Sequence, residues 1–412
     1  MNAPSEAARS ADDADLRSSL RVLVVTKIFP NAAEPTSAPF NRQQIAALSR
    51  ACRVEVLGTI PWYPGAGLLA KRSSAGRLTE VPDVEVIDGI TVRHPRTLFI
   101  PRVAHGLWAP LYAASLAPIA ARYRNKVDVL LGTWAYPDGV AAVMLAKLVG
   151  APVVVKLHGS DMNVIAKLPG PRRLLRMALP RATRVVAVSR ALAAEARALG
   201  VPDERISIVM NGVDADLFRP GDRNAARAQL GLKNDARIVL YVGNLKESKG
   251  VLDLAAAFER IAADRPDVHL AIVGGGEARG ALEALSARWP DRITLAGARP
   301  LSEVPVWMAA CDLLTLPSWA EGTPNVVLEA LASGRRVVAS DVGGIPDLVT
   351  DPLLGELVPP REPSALAAAL DRASSLAYDP DEVAKLGARG GWTESAARLH
   401  AVLRDAARAR RA

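Results

Sequence analysis

Cysteine is almost absent from this chain. Cys52 and Cys311 are the only two in 412 residues, which excludes a disulfide framework and suits a reducing cytoplasm. Aromatic residues make up 4% of the chain. No aromatic cluster of the RNA-binding type, no zinc-ligand spacing and no continuous basic tract occurs, so nucleic acid is the least supported class of partner. No stretch reaches the roughly 18 uninterrupted apolar residues of a spanning helix. The most apolar segment, Val140 to Val155, is interrupted by Lys147, Gly150 and Pro152. The first 20 residues are polar and mixed in charge, without the apolar centre of a signal peptide or anchor, and read as a disordered tail on a soluble protein.

What the chain does have is positive charge, unevenly placed. The net charge is +8, with 27 Lys/Arg against 16 Asp/Glu in residues 1–213 and 24 against 27 in residues 214–412. A basic first half beside a near-neutral second half points to an anionic partner for the first: phospholipid headgroups, a lipid-phosphate substrate or, least of the three, nucleic acid. An Arg-rich solvated surface is the plain alternative. Half the residues are hydrophobic and 23% are charged, the balance of a packed globular protein. Such a length exceeds what one core organises, so two domains are expected.

Short β-branched runs alternate with Ala/Leu-rich segments of helical periodicity. Strands are expected at Arg21–Thr26, Arg53–Thr59, Val127–Leu131, Val153–Leu157, Arg184–Val188 and Ile206–Met210. In the second half they are expected at Arg237–Val242, His269–Val273, Arg292–Leu295, Leu313–Leu316 and Arg336–Ser340. Helical spacing marks Val251–Ala263, Asp381–Ala388 and Trp392–Ala409, the last with Trp392, Ala396, Leu399 and Leu403 on one face. Alternating βα units imply parallel sheets covered by helices on both faces. The fold class is therefore α/β, with two doubly wound domains at 21–212 and 213–390, a tail at 1–20 and a terminal helix at 391–412. The joint is placed at Asn211-Gly212-Val213-Asp214, where Asn-Gly supplies turn chemistry. Ligands of such sheets bind at the carboxyl ends of the strands.

Four segments carry chemistry. In the first, Glu321-Gly322-Thr323-Pro324-Asn325-Val326-Val327-Leu328-Glu329, Thr323 suits an N-cap and Pro324 the first helical position, with Gly334 as the stop. The start of that helix favours an anion such as phosphate. Glu321 precedes this seat and Glu329 lies within an otherwise apolar helix, where an idle carboxylate is costly. In the second, Gly243-Asn244-Leu245-Lys246-Glu247-Ser248-Lys249-Gly250, Lys249 sits at a helix start above a strand end, where an ammonium neutralises a diphosphate leaving group. An exposed loop lysine is the plain reading. The third, Val273-Gly274-Gly275-Gly276-Glu277, is a glycine turn that admits close approach of a ligand but does not match the dinucleotide fingerprint. The fourth, Lys156-Leu157-His158-Gly159-Ser160-Asp161, puts a histidine and an aspartate just past a strand. A structural strand-end histidine is an equal alternative there.

In their order and spacing these segments, with the Asn-Gly-Val-Asp joint, resemble the retaining glycosyltransferases of family 4, whose GT-B fold sets two Rossmann-like domains facing a cleft. Within that family the chain is most similar to enzymes of the teichuronic-acid type from bacterial surface-polysaccharide synthesis. Val24-Val25-Thr26, Phe29-Pro30-Asn31 and Leu157-His158-Gly159-Ser160-Asp161 support this, and the likeness covers the chain from Arg21 onward. It implies a nucleotide-diphosphate sugar as donor and a glycan or lipid-linked hydroxyl as acceptor, with neither cofactor nor metal. It also implies that the last helix crosses back onto the first domain, while the scarcity of cysteine and the basic first half lead to the expectation of a cytoplasmic enzyme, peripheral on the membrane's inner face. Glu321 would contact the donor sugar, Glu329 the ribose, and Lys249 the diphosphate, helped by Thr323, Pro324, Asn325 and Val326. Asn244, Gly275 and Gly276 would line the nucleotide pocket and Arg299 its edge. His158 would meet sugar or acceptor, and Asp161 the acceptor side.

The chain departs from the family pattern at two places. Asn244 stands where many relatives carry Arg, and Pro35-Thr36-Ser37-Ala38-Pro39 lacks the paired glycines of the first loop. Lys27 is a candidate to supply the missing donor-binding charge. Asp214-Ala215-Asp216 has metal-ligand spacing but lies in the joint, and no metal is assigned to it. Trp62-Tyr63, Lys71-Arg72, Arg93 to Arg96, Phe99 to Arg102, Trp108 and the basic stretch Arg172 to Met177 are candidates for an acceptor or an anionic bilayer. The alternatives are a nucleotide-sugar epimerase of related fold and a non-catalytic partner subunit.

Overall fold

Apolar runs of four to six residues without polar alternation require burial on both faces, the condition of a central parallel sheet. The computed structural model describes residues 20–64, 74–100 and 105–409. Residues 1–19 of the expected tail, Lys71-Arg72 and Pro101-Arg102 lie outside the described residues. Leu20, assigned to that tail, is instead buried, and its carbonyl accepts from Arg53 N at 2.9 Å.

The chain partitions into two units, Met1–Asn211 with Trp392–Ala412, and Gly212–Gly391. Strands of the first unit are β1 (Arg21–Thr26), β2 (Arg53–Gly58), β3 (Ile60–Trp62), β4 (Val84–Ile87), β5 (Ile90–Arg93), β6 (Arg96–Leu98), β7 (Val129–Thr133), β8 (Val153–Leu157), β9 (Arg184–Ala187) and β10 (Ile206–Ile208). Eight of them form one sheet in the order β10-β9-β8-β7-β1-β2-β5-β4, while β3 and β6 pair separately. All neighbours in the large sheet are parallel except the β4–β5 hairpin. The period-two alternation of β1 sends Leu23 and Val25 into one apolar cluster and Val22 and Val24 into the other. Against the second cluster lies helix Trp392–Arg408, which presents Ala396, Leu399, Leu403 and Ala406 to Ile45 and Leu48 of helix Pro39–Ser49. Gln44 Nε2 donates to Ser395 Oγ at 2.8 Å, and Ser395 Oγ donates to the Met210 carbonyl at 2.6 Å. The last helix is thus part of the first unit.

The second unit contains β11 (Arg237–Val242), β12 (Val268–Val273), β13 (Ile293–Gly297), β14 (Leu313–Leu316), β15 (Arg336–Ser340) and β16 (Gly355–Val358). Their order is β13-β12-β11-β14-β15-β16, with every pair parallel. Counted locally this is 3-2-1-4-5-6, the doubly wound arrangement in which ligands bind where the order reverses. That switch lies between β11 and β14. At the opposite end of these strands Arg227, 1% exposed, donates from Nη2 to Asp312 Oδ2 at 2.7 Å, and the same oxygen accepts from Ile238 N. Helix Arg223–Leu230 is thereby tied to the starts of β11 and β14.

Several elements differ from the sequence reading. The strand expected at Val127–Leu131 runs two residues later, because its ladder extends to the Thr133–Lys156 pair. The β4–β5 hairpin was not expected, although Asp88-Gly89 between two β-branched runs is a strong hairpin signal. Both residues have positive φ, at 52° and 78°. Thr323 does not cap the helix after β14. The helix spans Asn325–Ala332 with Pro324 as its extended N-cap, and no side chain caps it. Pro324 is itself extended, at ψ 115°, so the first helical residue is Asn325.

The terminal helix closes the first unit, so truncating its buried face leaves a void. Leu399→Ala is expected to lower unfolding stability by about 3 kcal/mol, measured by urea titration; a loss near zero contradicts the packing.

Candidate functional site

Two loops of the second unit follow β11 and β14, and contacts between them build a charged site at the switch point. After β11, Tyr241 Oη donates to the Asn244 carbonyl at 2.9 Å, and Leu245 N donates to the Gly275 carbonyl at 2.9 Å. The Asn244 turn is thus docked onto the glycine turn after β12, with Asn244 itself exposed. A 3₁₀ turn, Glu247–Lys249, then leads through Gly250 into helix Val251–Ala262. Gly250 has φ of 68°, and a Cβ there would lie 1.9 Å from the Pro317 carbonyl oxygen. Only glycine lets the loop after β14 approach this turn. Trp319 N donates to the Ser248 carbonyl at 3.0 Å, and Trp319 Nε1 donates to Asp253 Oδ2 at 2.7 Å.

These contacts bring the sequence-predicted pair together. Lys249 Nζ lies 2.7 Å from Glu321 Oε1, with the carboxylate 9% and the lysine 32% exposed. The Glu321 backbone rests on Gly343 (φ 59°), where a Cβ would stand 2.0 Å from its carbonyl oxygen, and Gly344 N donates to the Gly322 carbonyl at 2.7 Å. Helix Asn325–Ala332 begins four residues after Glu321 and carries the half-buried Glu329. Burial pushes the Glu329 carboxyl up to about 7. Thr323 and Pro324 are buried and Asn325 and Val326 half-buried at this helix start. Gly275 is half-buried and Gly276 exposed in the glycine turn. Arg299 is exposed, with Nη1 3.5 Å from Glu303 Oε2.

The first unit concentrates buried ionisable groups at the ends of β1, β7 and β8. The His158 ring stacks on Trp134 at 5.7 Å and 26° and tilts against Phe40 at 5.1 Å. Burial, then the neighbouring Lys156 charge, holds its pKa well below the ordinary 6.5, so the imidazole is neutral. Its Nε2 is buried without a hydrogen-bond partner among the described residues. Lys156 is fully buried, bonds Gln44 Oε1, and is pushed down to about 7 by burial. Lys27 N donates to Asp138 Oδ2 at 2.9 Å, and Lys27 Nζ lies 5.8 Å from the centre of the Trp134 ring. Asp138, fully buried, is pushed up to about 7 by that burial, against the pull of Lys27.

Asp161 requires a correction. It was expected on the acceptor side, yet it is completely buried, and its carboxylate accepts from Ala135 N (2.7 Å), Gly159 N (2.7 Å), Met162 N (3.1 Å) and His158 N (3.2 Å). Its work is to fold the turn that positions His158 and Trp134. Trp134, Phe40 and Asp138 were not singled out from the sequence. The signal for Trp134 was a tryptophan followed by Ala-Tyr-Pro-Asp-Gly turn residues directly after a buried strand. Its φ of 124° is unusual for a non-glycine residue, and such strain clusters at functional sites. A cavity of about 200 Å³ nearby is lined by Lys27, Phe29, Phe99, Trp108, Tyr112 and neighbours. Asp214, the apparent metal ligand, accepts from Asp216 N and Leu217 N as a local turn. Among the described residues no group of three His, Cys, Asp or Glu is placed to hold a metal.

The chain matches known proteins in sequence and in fold. A family model described as Glycosyltransferase Family 4 matches residues 46–217, and one described as Glycosyl transferases group 1 matches residues 236–375. The chain is 32% identical over 370 residues to D-inositol 3-phosphate glycosyltransferase 1 of Catenulispora acidiphila, across 81% of this chain and 85% of that protein. It is 28% identical over 364 residues to TuaC of Bacillus subtilis, described as a teichuronic acid biosynthesis glycosyltransferase, across 86% of this chain and 89% of that one. HepE of Anabaena, solved in complex with UDP, has the same fold, with a TM-score of 0.69 at 19% identity over 94% of this chain and 100% of that one. Sucrose-phosphate synthase of Thermosynechococcus elongatus also scores 0.69, at 23% identity over 95% and 97% of the two chains. The protein is therefore an enzyme of glycosyl transfer. It belongs to glycosyltransferase family 4 and has the GT-B fold, which leaves the epimerase and non-catalytic alternatives without support.

The raised Glu329 pKa sets a pH dependence. The folded chain keeps this proton to higher pH than the unfolded chain, whose carboxyl titrates near the ordinary 4.5. Stability is thus unpenalised below about 4.5, falls as pH rises toward 7 and bears the full cost above it. Glu329→Gln is expected to melt above the wild type at pH 8, with the gap closing toward pH 4.5; a pH-independent gap in thermal denaturation contradicts this.

Proposed function

We propose that the enzyme is a retaining glycosyltransferase that moves a sugar from a nucleotide-diphosphate sugar to an acceptor hydroxyl in the synthesis of a bacterial cell-surface polysaccharide or glycolipid. The observation that carries this reading is the Lys249–Glu321 pair beside the helix start at Asn325, at the switch point of the second sheet. An ammonium has three donors, so Lys249 keeps Glu321 in place with one and offers the others to the leaving diphosphate. The helix start adds its positive dipole end. Glu321 orients the donor through its sugar hydroxyls, and Glu329 takes the ribose. Thr323, Pro324, Asn325, Val326, Asn244, Gly275, Gly276 and Arg299 surround the nucleotide. Lys27 adds positive charge for the donor phosphates, and neutral His158, with its unpartnered Nε2, bonds a sugar or acceptor hydroxyl. The departing phosphate assists deprotonation of the acceptor, and the reaction needs neither metal nor cofactor.

Support for the donor comes from HepE, a structural neighbour solved with UDP, and for the pathway from TuaC. The aromatic cavity bounded by Phe99 and Trp108 is the proposed acceptor seat, since aromatic faces suit the apolar sides of glycan rings or a lipid segment. Thermal-shift screening against nucleoside diphosphates and their sugars should reveal a stabilising donor, and Lys249→Ala should abolish the shift. Glu321→Gln should lower kcat about 100-fold while donor binding persists, and Trp108→Ala should raise KM for the acceptor alone. Turnover should survive a chelator. Failure of every nucleoside diphosphate sugar to stabilise the protein would remove the reading.

A peripheral position on an anionic bilayer is proposed from helix Pro169–Ala178. It buries Pro171, Leu175 and Ala178 and exposes Arg173, Arg176 and Met177, beside exposed Val164 and Lys167. Basic residues near an anionic surface contribute about 1 kcal/mol each. Co-sedimentation with phosphatidylglycerol vesicles should be lost in Arg173→Glu/Arg176→Glu; equal sedimentation of that variant and the wild type contradicts the assignment.

A further inference from the structure

A cavity of about 440 Å³ opens in the first unit at the amino-terminal ends of β1 and β2. His158 and Lys27 follow the carboxyl ends of strands in the same sheet. A six-residue strand spans roughly 20 Å, so a ligand here does not touch them. Five cations line the cavity: Arg21, Arg53, Arg93, Arg122 and Lys126.

The carboxylates nearby are already engaged. Arg21 forms a two-point bridge to Asp128, with Nη2 to Oδ1 at 3.0 Å and Nε to Oδ2 at 3.1 Å. Glu55, the one acid lining the cavity, accepts from Arg93 Nε at 2.7 Å and from Tyr123 Oη. Those pairs fix two arginines against the sheet. No ion pair among the described residues engages Arg53, Arg122 or Lys126, which come from two separate segments and line one hollow. Three like charges brought together repel one another unless an anion joins them. Val54, Ile119 and the Tyr123 side chain supply an apolar wall beside them.

We propose that this cavity is a second anion site, distinct from the Lys249 site, that binds a phosphorylated small molecule of sugar-phosphate size. Guanidinium forks match phosphoryl oxygens in geometry and charge. The volume falls within the range of small-molecule pockets and exceeds what a lone inorganic ion fills. The apolar wall takes the carbon skeleton while the free cations hold the phosphoryl group. Nothing in the donor reading depends on this site, because none of the residues lining it is assigned to the donor.

Calorimetric titration with glucose 6-phosphate tests it on the full chain. Binding should be unchanged in Lys249→Ala and at least about tenfold weaker in Arg53→Gln/Arg122→Gln/Lys126→Gln, whose substituted side chains are exposed and whose melting temperature serves as the folding control. Arg53→Lys/Arg122→Lys, which keeps the charge, should retain most of the affinity. The proposal is overturned if the triple variant binds like the wild type, if binding disappears in Lys249→Ala, or if the wild type binds no glucose 6-phosphate. It is equally overturned if the triple variant alters only sedimentation with phosphatidylglycerol vesicles, since the site would then read a bilayer headgroup.

Discussion

The 2.7 Å contact between Lys249 and Glu321 is the constraint around which the second unit is arranged. Neither residue is close to the other in sequence, and each sits on a loop. The loops are rigid because backbone meets backbone: Pro317 against Gly250, Trp319 on Ser248, Gly322 on Gly344. A partly buried ion pair returns little stability by itself. In the proposed reaction its value lies in preorganisation, since a cation and an acid already held in place need not be reorganised when a charged substrate arrives. Two glycines with positive φ and an eight-residue helix serve that one juxtaposition.

The first unit treats charge differently. Lys156, His158, Asp161 and Asp138 are nearly or wholly buried within a few residues of strand ends. Their protonation is set by removal from water rather than by ion pairing: His158 is kept neutral, while Lys156 and Asp138 are moved toward neutrality. Such a region can donate and accept hydrogen bonds without presenting fixed charge. That suits recognition of uncharged hydroxyls, whereas the Lys249 loop suits phosphate.

Much of this was legible in the residues. Parallel strands buried on both faces leave unbroken Val/Leu runs, so β1, β8, β11, β14 and β15 were readable to the residue, and the amphipathic helix from Trp392 declared its buried face. The motif around Glu321 was legible because Thr-Pro followed by an apolar helix and a terminal glycine is a local signature. Less legible was anything fixed by contact across sequence. Asp161 reads as an active-site carboxylate until four backbone N–H groups are seen to consume it. Phe40 carries no local mark of its role, and Trp134 only the turn residues that follow it, because stacking on His158 is made by three different segments. The hairpin at Asp88-Gly89 carries a tight-turn signal, but it joins strands of only four residues, one of them the sheet edge. The one-residue shift at Pro324 reflects that residue's own extended backbone, at ψ 115°.

The placement of helix Trp392–Arg408 in the first unit has a consequence for biogenesis. The second unit is an insertion: both of its ends meet in the bridge between Val213 and Gly391, so it can close on itself once residue 391 has been made. The sheet of the first unit must meanwhile wait, with Val24, Ile45 and Leu48 uncovered, until helix Trp392–Arg408 has been made. The first unit's sheet is therefore completed after the second unit, and a nascent chain stalled before residue 392 exposes a greasy face prone to aggregation.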